Sequence, residues 1–198
     1  MHAERANGRK RALPVYPSAA EVHRMLDACQ HERDRVLLEL CWHTGGRISE
    51  VIQIRAGDLT ARGVRMRNLK QSVPAEKHVY LSPAFLARLR AYAAGQPGDA
   101  LLVGRLGDGG PITRRQAWNI VTAAARTAGI LKRRFASEQM RPIWPHSLRH
   151  ATAINLLDQG VPVNAVQRHL GHASLASTAV YTQLTDEHTR RLIAGARF

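Results

Sequence analysis

Apolar residues fall three and four apart along most of the chain, as in helices that bury one face, and alternate singly in only one region. Ser18 and Glu21 have the spacing of a capping box, with Val22, Met25 and Leu26 following on one side, which predicts a helix over about 18–29. A second, over 31–43, turns Val36, Leu37, Leu40 and Cys41 inward and stops at Gly45-Gly46. A short helix over 47–54 sets Ile48, Val51 and Ile52 on one side and Arg47 with Glu50 on another. The alternation lies at 64–68 and 78–81 around a polar stretch and predicts a hairpin. Helices resume at about 83–94, 114–128, 146–159, 163–169, 175–182 and 186–194, joined by Gly- and Pro-bearing connections such as 107–110 and 142–145. The expected fold is mainly α with one small antiparallel β-sheet and no internal repeat.

Composition narrows the partner. The chain has 198 residues, enough for one domain, and 44% hydrophobic content, enough to fill a core. Lys and Arg number 29 against 15 Asp and Glu, a net charge of +14, and such a field concentrates polyanions, a nucleic-acid backbone first among them. The first 13 residues are polar and basic, and no run approaches the length of a membrane span, so the expectation is a soluble, unexported, cytoplasmic protein. Cys29 and Cys41 are too few for a disulfide framework and read as free buried thiols. Residues 1–17, with Arg5, Arg9, Lys10 and Arg11, read as a flexible basic arm.

Three segments carry candidate chemistry. In Pro145-His146-Ser147-Leu148-Arg149-His150, His146 and Arg149 stand one helical turn apart near a helix start, where free amides favour anions. Leu170-Gly171-His172 is followed nine residues later by Tyr181, and Thr44-Gly45-Gly46-Arg47-Ile48-Ser49-Glu50 sets another Arg directly after a glycine stop. Each is commonplace alone; their order and spacing are not.

Together they resemble the tyrosine recombinase (lambda-type phage integrase) family. The resemblance runs from about Ser18 to Leu184, leaving 185–198 as a C-terminal helix or tail, and its most specific stretch is Leu-Gly-His-Ala-Ser-Leu-Ala-Ser-Thr-Ala-Val-Tyr, ending at Tyr181. It implies the integrase catalytic-domain fold and an enzyme, a site-specific DNA recombinase working through a 3′-phosphotyrosine without cofactor or metal. The site it implies is Arg47, a Lys on the sheet turn, His146, Arg149, His172 and the nucleophile Tyr181. The hairpin offers both Lys70 and Lys77; Lys70, just after the first strand, has the preferred register. Two Arg guanidiniums suit the charge that builds on non-bridging oxygens during phosphodiester transfer. Tyr181 must lose its proton as it attacks, which His146 could accept, and the leaving 5′-oxygen needs one, which a Lys ammonium can give.

Partners follow from the same resemblance: double-stranded DNA, a homo-tetramer assembled on it within the nucleoid, and accessory DNA-bending proteins. Arg114 and Arg115 at a helix start, the run Lys132-Arg133-Arg134, and His150 are candidate DNA contacts, of a kind that position rather than specify. His146, His150, His169 and His172 also raise a zinc site, which lacks a Cys or carboxylate to complete it. Many relatives carry a helical DNA-clamping domain ahead of the catalytic one; only a basic arm precedes Ser18, as in the small fimbrial inversion recombinases or an excised fragment. Rival readings are a type IB topoisomerase, which shares the chemistry but rejoins the same strand, and a catalytically silent DNA-binding regulator.

Overall fold

The computed structural model describes residues 15–68, 75–133 and 140–171. Its first helix, α1 (Ala19–Asp27), begins with the capping box: the Ser18 amide donates to the Glu21 carboxylate (2.8 Å) and the Glu21 amide to the Ser18 hydroxyl (3.2 Å). The next, α2 (Glu32–Thr44), is central. It buries Leu38, Glu39 and Trp42 as well as the expected Val36, Leu37, Leu40 and Cys41, because neighbours cover it on nearly every side. Helix α3 is shorter than the sequence pattern suggests, Ile48–Val51. The chain leaves it to pair with a later segment, the Ile54 carbonyl accepting from the Leu102 amide (3.0 Å) and the Ala56 amide donating to the Ala100 carbonyl (2.9 Å).

Strands β1 (Gly63–Asn68) and β2 (Ala75–Tyr80) form the expected antiparallel hairpin, but β2 starts three residues before the alternating stretch. Directly opposed residues share a face of a sheet. Val64 opposes Val79 and Met66 opposes Lys77, so Lys77 projects from the same side as three buried apolar residues. Helices α4 (Pro83–Ala93) and α5 (Arg114–Thr127) start at side-chain caps, Ser82 and Thr113. A second hairpin of β3 (Leu131–Arg133) and β4 (Met140–Pro142) was not expected; three residues are too few for alternation to register. Then come α6 (Pro145–Asp158) and α7 (Val163–Leu170).

One large apolar cluster joins α1, α2, α4, α5 and the first hairpin, and a smaller one of Ala153, Ile154, Leu157, Val166 and Leu170 sits between α6 and α7. Tyr16, near the end of the expected arm, packs against both. Thr152 on α6 donates to the Trp42 carbonyl (2.6 Å), fixing α6 across the end of α2. That end requires glycine. Gly45 adopts φ +56°, and a Cβ there would meet Leu170 Cδ2 at 2.3 Å, while one on Gly46 would meet Met66 Cε at 2.5 Å. The Gly45-Gly46 pair therefore lets the start of α3, the hairpin and the end of α7 converge on one point. The expected helices over 175–182 and 186–194 lie outside the described residues, as does 1–14.

Candidate active site

Arg149 stands one turn into α6 and is 2% exposed. Its guanidinium donates through Nη1 to the Gly45 carbonyl (2.5 Å) and through Nη2 to the Leu170 carbonyl (2.9 Å). Both acceptors are neutral main-chain groups at helix C-termini, where carbonyls lack partners and cations are favoured. The charge of Arg149 is thus held in place without being neutralised by them.

Arg47 stands directly before α3, where Glu50 reaches back to it. The Glu50 carboxylate accepts from the Arg47 amide (3.1 Å) and from Arg47 Nη1 (2.8 Å). The same carboxylate accepts from Lys77 Nζ (3.1 Å), which also donates to the Leu170 carbonyl (3.3 Å). Side-chain exposure sorts the three: 1% for Glu50, 14% for Lys77 and 27% for Arg47, so of these Arg47 reaches furthest toward solvent. Burial alone would raise the Glu50 pKa, yet the Lys77 charge and the Arg47 hydrogen bonds hold it below its ordinary value. Burial pushes the Lys77 ammonium down; Glu50 opposes that, and the nearby charges of Arg149 and Arg47 add to it. Two cations, Arg47 and Lys77, therefore share one carboxylate with the charge of Arg149 nearby, an arrangement suited to a phosphate-like group.

His146 is exposed in the otherwise buried first turn of α6, and its ring meets that of His150 edge to face, with centroids 4.6 Å apart. His169 is engaged elsewhere: its Nε2 lies 3.0 Å from the His43 carbonyl, and burial lowers its pKa. His43, stacked on Phe85, is pushed down to about 4 by burial and by the charges of His23 and His169. Among the described residues no group of three or more His, Cys, Asp or Glu could hold a metal ion.

The structure places Arg47 directly before α3 and His146 and Arg149 on α6, with Arg149 donating to the carbonyl of Gly45, two residues before Arg47. Lys70, His172 and Tyr181 lie outside the described residues. The lysine found in the cluster is Lys77, and β2 parity, with Lys77 opposite the buried Met66, is the signal that could have placed it there. Of the candidate DNA contacts, Arg114 and Arg115 are exposed at the start of α5, with the Arg115 guanidinium 5.3 Å above the Trp118 ring. Lys132 is tied to Glu21 by an ion pair of 2.5 Å. Arg133 is on β3, and Arg134 lies outside the described residues. Among the described residues no helix is long and apolar enough to cross a membrane.

Arg47 beside Glu50 and Arg149 on the Gly45 and Leu170 carbonyls thus stand on a mainly helical scaffold near an exposed histidine, His146. The phage integrase family model matches residues 18–188, and the chain belongs to that family. It is 32% identical over 203 residues to the tyrosine recombinase XerD of Corynebacterium glutamicum, a match covering 94% of this chain and 62% of that protein. The chain spans between half and two thirds of the length of the first such relatives. A crystal structure of XerA recombinase superposes with a TM-score of 0.72 at 22% identity, covering 94% of this chain and 67% of the other. A chain from a crystal structure of a lambda integrase tetramer bound to a Holliday junction superposes with a TM-score of 0.62 at 18% identity, covering 84% of this chain and 49% of the other. These likenesses are of fold.

Proposed function

We propose that the chain is the catalytic part of a site-specific DNA recombinase that cleaves and rejoins double-stranded DNA through a phosphotyrosine at Tyr181. The observation that carries this reading is the convergence of Arg47 and Arg149 around the Glu50–Lys77 pair, beside the helix start that bears His146. The guanidiniums, with His172, bind the two non-bridging oxygens of the scissile phosphate. The Tyr181 oxygen attacks phosphorus and passes its proton toward His146; the bond to the 5′-oxygen breaks, and that oxygen takes a proton from Lys70. Lys70 suits the donor role because Lys77 already donates to Glu50 and to the Leu170 carbonyl.

The bond between phosphorus and Tyr181 stores the energy of the broken linkage, so a 5′-hydroxyl from another duplex can attack it without any cofactor. Exchange of two strand pairs calls for four copies on DNA, and the lambda integrase tetramer on a Holliday junction supports that stoichiometry. The exposure of Arg114 and Arg115 at the start of α5 supports a role for them in meeting the phosphate backbone, and His150, Lys132, Arg133 and Arg134 are the further contacts we assign to DNA. Accessory bending proteins would assist, within the nucleoid.

The test uses duplexes from the DNA flanking the protein's own gene, nicked so that a short cleaved strand diffuses away. Wild type accumulates a covalent protein–DNA species; Tyr181→Phe binds the duplex and forms none. A Tyr181→Phe protein that still forms the adduct overturns the assignment. Exchange between two labelled duplexes separates a recombinase from a topoisomerase, which would only reseal its own strand.

A further inference from the structure

The three site cations do not do the same work, and the hydrogen bonds of Lys77 set it apart. Its Nζ joins two structures that hold the guanidiniums. One is Glu50, whose other oxygen binds Arg47 Nη1 at 2.8 Å; the second is the Leu170 carbonyl, which also accepts from Arg149 Nη2 at 2.9 Å. The Lys77 stem runs along the buried face of the hairpin and packs against Gly171, the left-handed residue that ends α7, where a Cβ would stand 3.1 Å from Lys77 Cδ. Leu170 and Gly171 immediately precede His172.

We infer that Lys77 is a positioning residue, which fastens the Glu50–Arg47 unit to the end of α7 and so fixes the separation of Arg47 and Arg149, and that it is not the proton donor of cleavage. The inference rests on the cleavage reading given above. An ammonium that donates to a buried carboxylate and a main-chain carbonyl has at most one hydrogen left to offer, and its stem is held on the inner face of the sheet. Two fixed guanidiniums bind a phosphate far better than two mobile ones, because the geometry is set before reaction.

Replacing the bridging 5′-oxygen by sulfur distinguishes holding from proton donation. A thiolate leaves unprotonated, since thiols have a pKa of about 8.5, so loss of a proton donor is repaired by sulfur and loss of position is not. On nicked duplexes of both kinds, Lys77→Met is expected to slow adduct formation by about 100-fold or more with oxygen and with sulfur alike, the scale of a lost oxyanion donor. Lys77→Arg, which can reach both acceptors but gives up no proton near neutral pH, is expected to stay within about tenfold of wild type on oxygen. Lys77→Met and Lys77→Arg both inactive on oxygen and both restored by sulfur would make Lys77 the donor and overturn the inference, as would a Lys77→Met protein as fast as wild type.

Melting of the DNA-free protein supplies a readout independent of cleavage. Lys77→Met should lower the midpoint by roughly 2–4 °C and Lys77→Arg should recover most of it; equal midpoints for all three proteins would also overturn the inference. A wild type that melts normally and forms no adduct on either duplex sinks the recombinase reading instead, and the melting series still decides the role of Lys77.

Discussion

Two buried glutamates, Glu39 and Glu50, each hold two cations, yet the surroundings make one a brace and the other a receptor. Glu39 on α2 accepts from Arg88 on α4 (2.9 Å) and from Arg35 one turn earlier (3.3 Å), while Arg88 also pairs with Glu32 and Arg35 with Asp27. Carboxylates outnumber cations there, so nothing further of negative charge is wanted. Around Glu50 the balance is reversed: Arg47 and Lys77 share its one carboxylate, and the charge of Arg149 is close enough to act on Lys77. A buried ion pair by itself says little about role, because desolvation offsets most of the attraction. The charge balance says more: acidic groups are in excess around Glu39, and cations are in excess on Glu50 itself.

Breaking the receptor at its least exposed cation should have the largest effect. Arg149→Lys cannot span the Gly45 and Leu170 carbonyls, and cleavage should fall by about 10²–10³-fold, or roughly 2.7–4 kcal/mol, in single-turnover adduct assays. Glu39→Gln should instead cost about 2–3 kcal/mol of folding stability in urea titrations while leaving cleavage per folded molecule unchanged, the figure reduced because its arginines are about a third exposed. Glu50→Gln should reverse that profile, lowering cleavage at least about tenfold by releasing Arg47 and Lys77.

Acid should act on a third element. His43 stays neutral in the folded protein down to about pH 4, whereas its ordinary value is 6.5, so the unfolded chain binds the extra proton first. The His43 contribution to stability is full above 6.5 and falls by about 3 kcal/mol as pH drops to the folded value, so His43→Gln should flatten the loss seen in denaturation curves compared at pH 7 and 4.5, leaving the part due to His169. The smallest effect sharpens the contrast directly. Inorganic phosphate near its dissociation constant should raise the melting midpoint by about 1–2 °C, through the Glu50 cluster alone, and Arg47→Ala should abolish the gain.

Much of this was legible in the sequence because helix spacing fixes which side chains meet. His146 and Arg149 lie one turn apart, Glu50 lies three residues beyond Arg47, and the Ser18–Glu21 box starts α1 as the spacing predicts. Lys77 was obscured because the polar residues between the alternating stretches hide how far the strands pair; once Asn68 opposes Ala75, parity settles its face. The acceptors of Arg149 were invisible, since main-chain carbonyls carry no residue identity and Gly45 and Leu170 are brought together only by tertiary packing. The β3–β4 hairpin was missed for a related reason: its pairing depends on neighbours rather than on its own three-residue strands.

The fit between Gly45 and Leu170 has a consequence for descent. Any other residue at 45 meets Leu170 at 2.3 Å and also inherits a left-handed backbone. Trimming Leu170 would clear the first obstacle but not the second, and would open a void where Val166 and Ile154 now pack. No single mutational step away from this pair is cheap, and the second step does not repair the first. Change is therefore expected to accumulate around this joint sooner than within it.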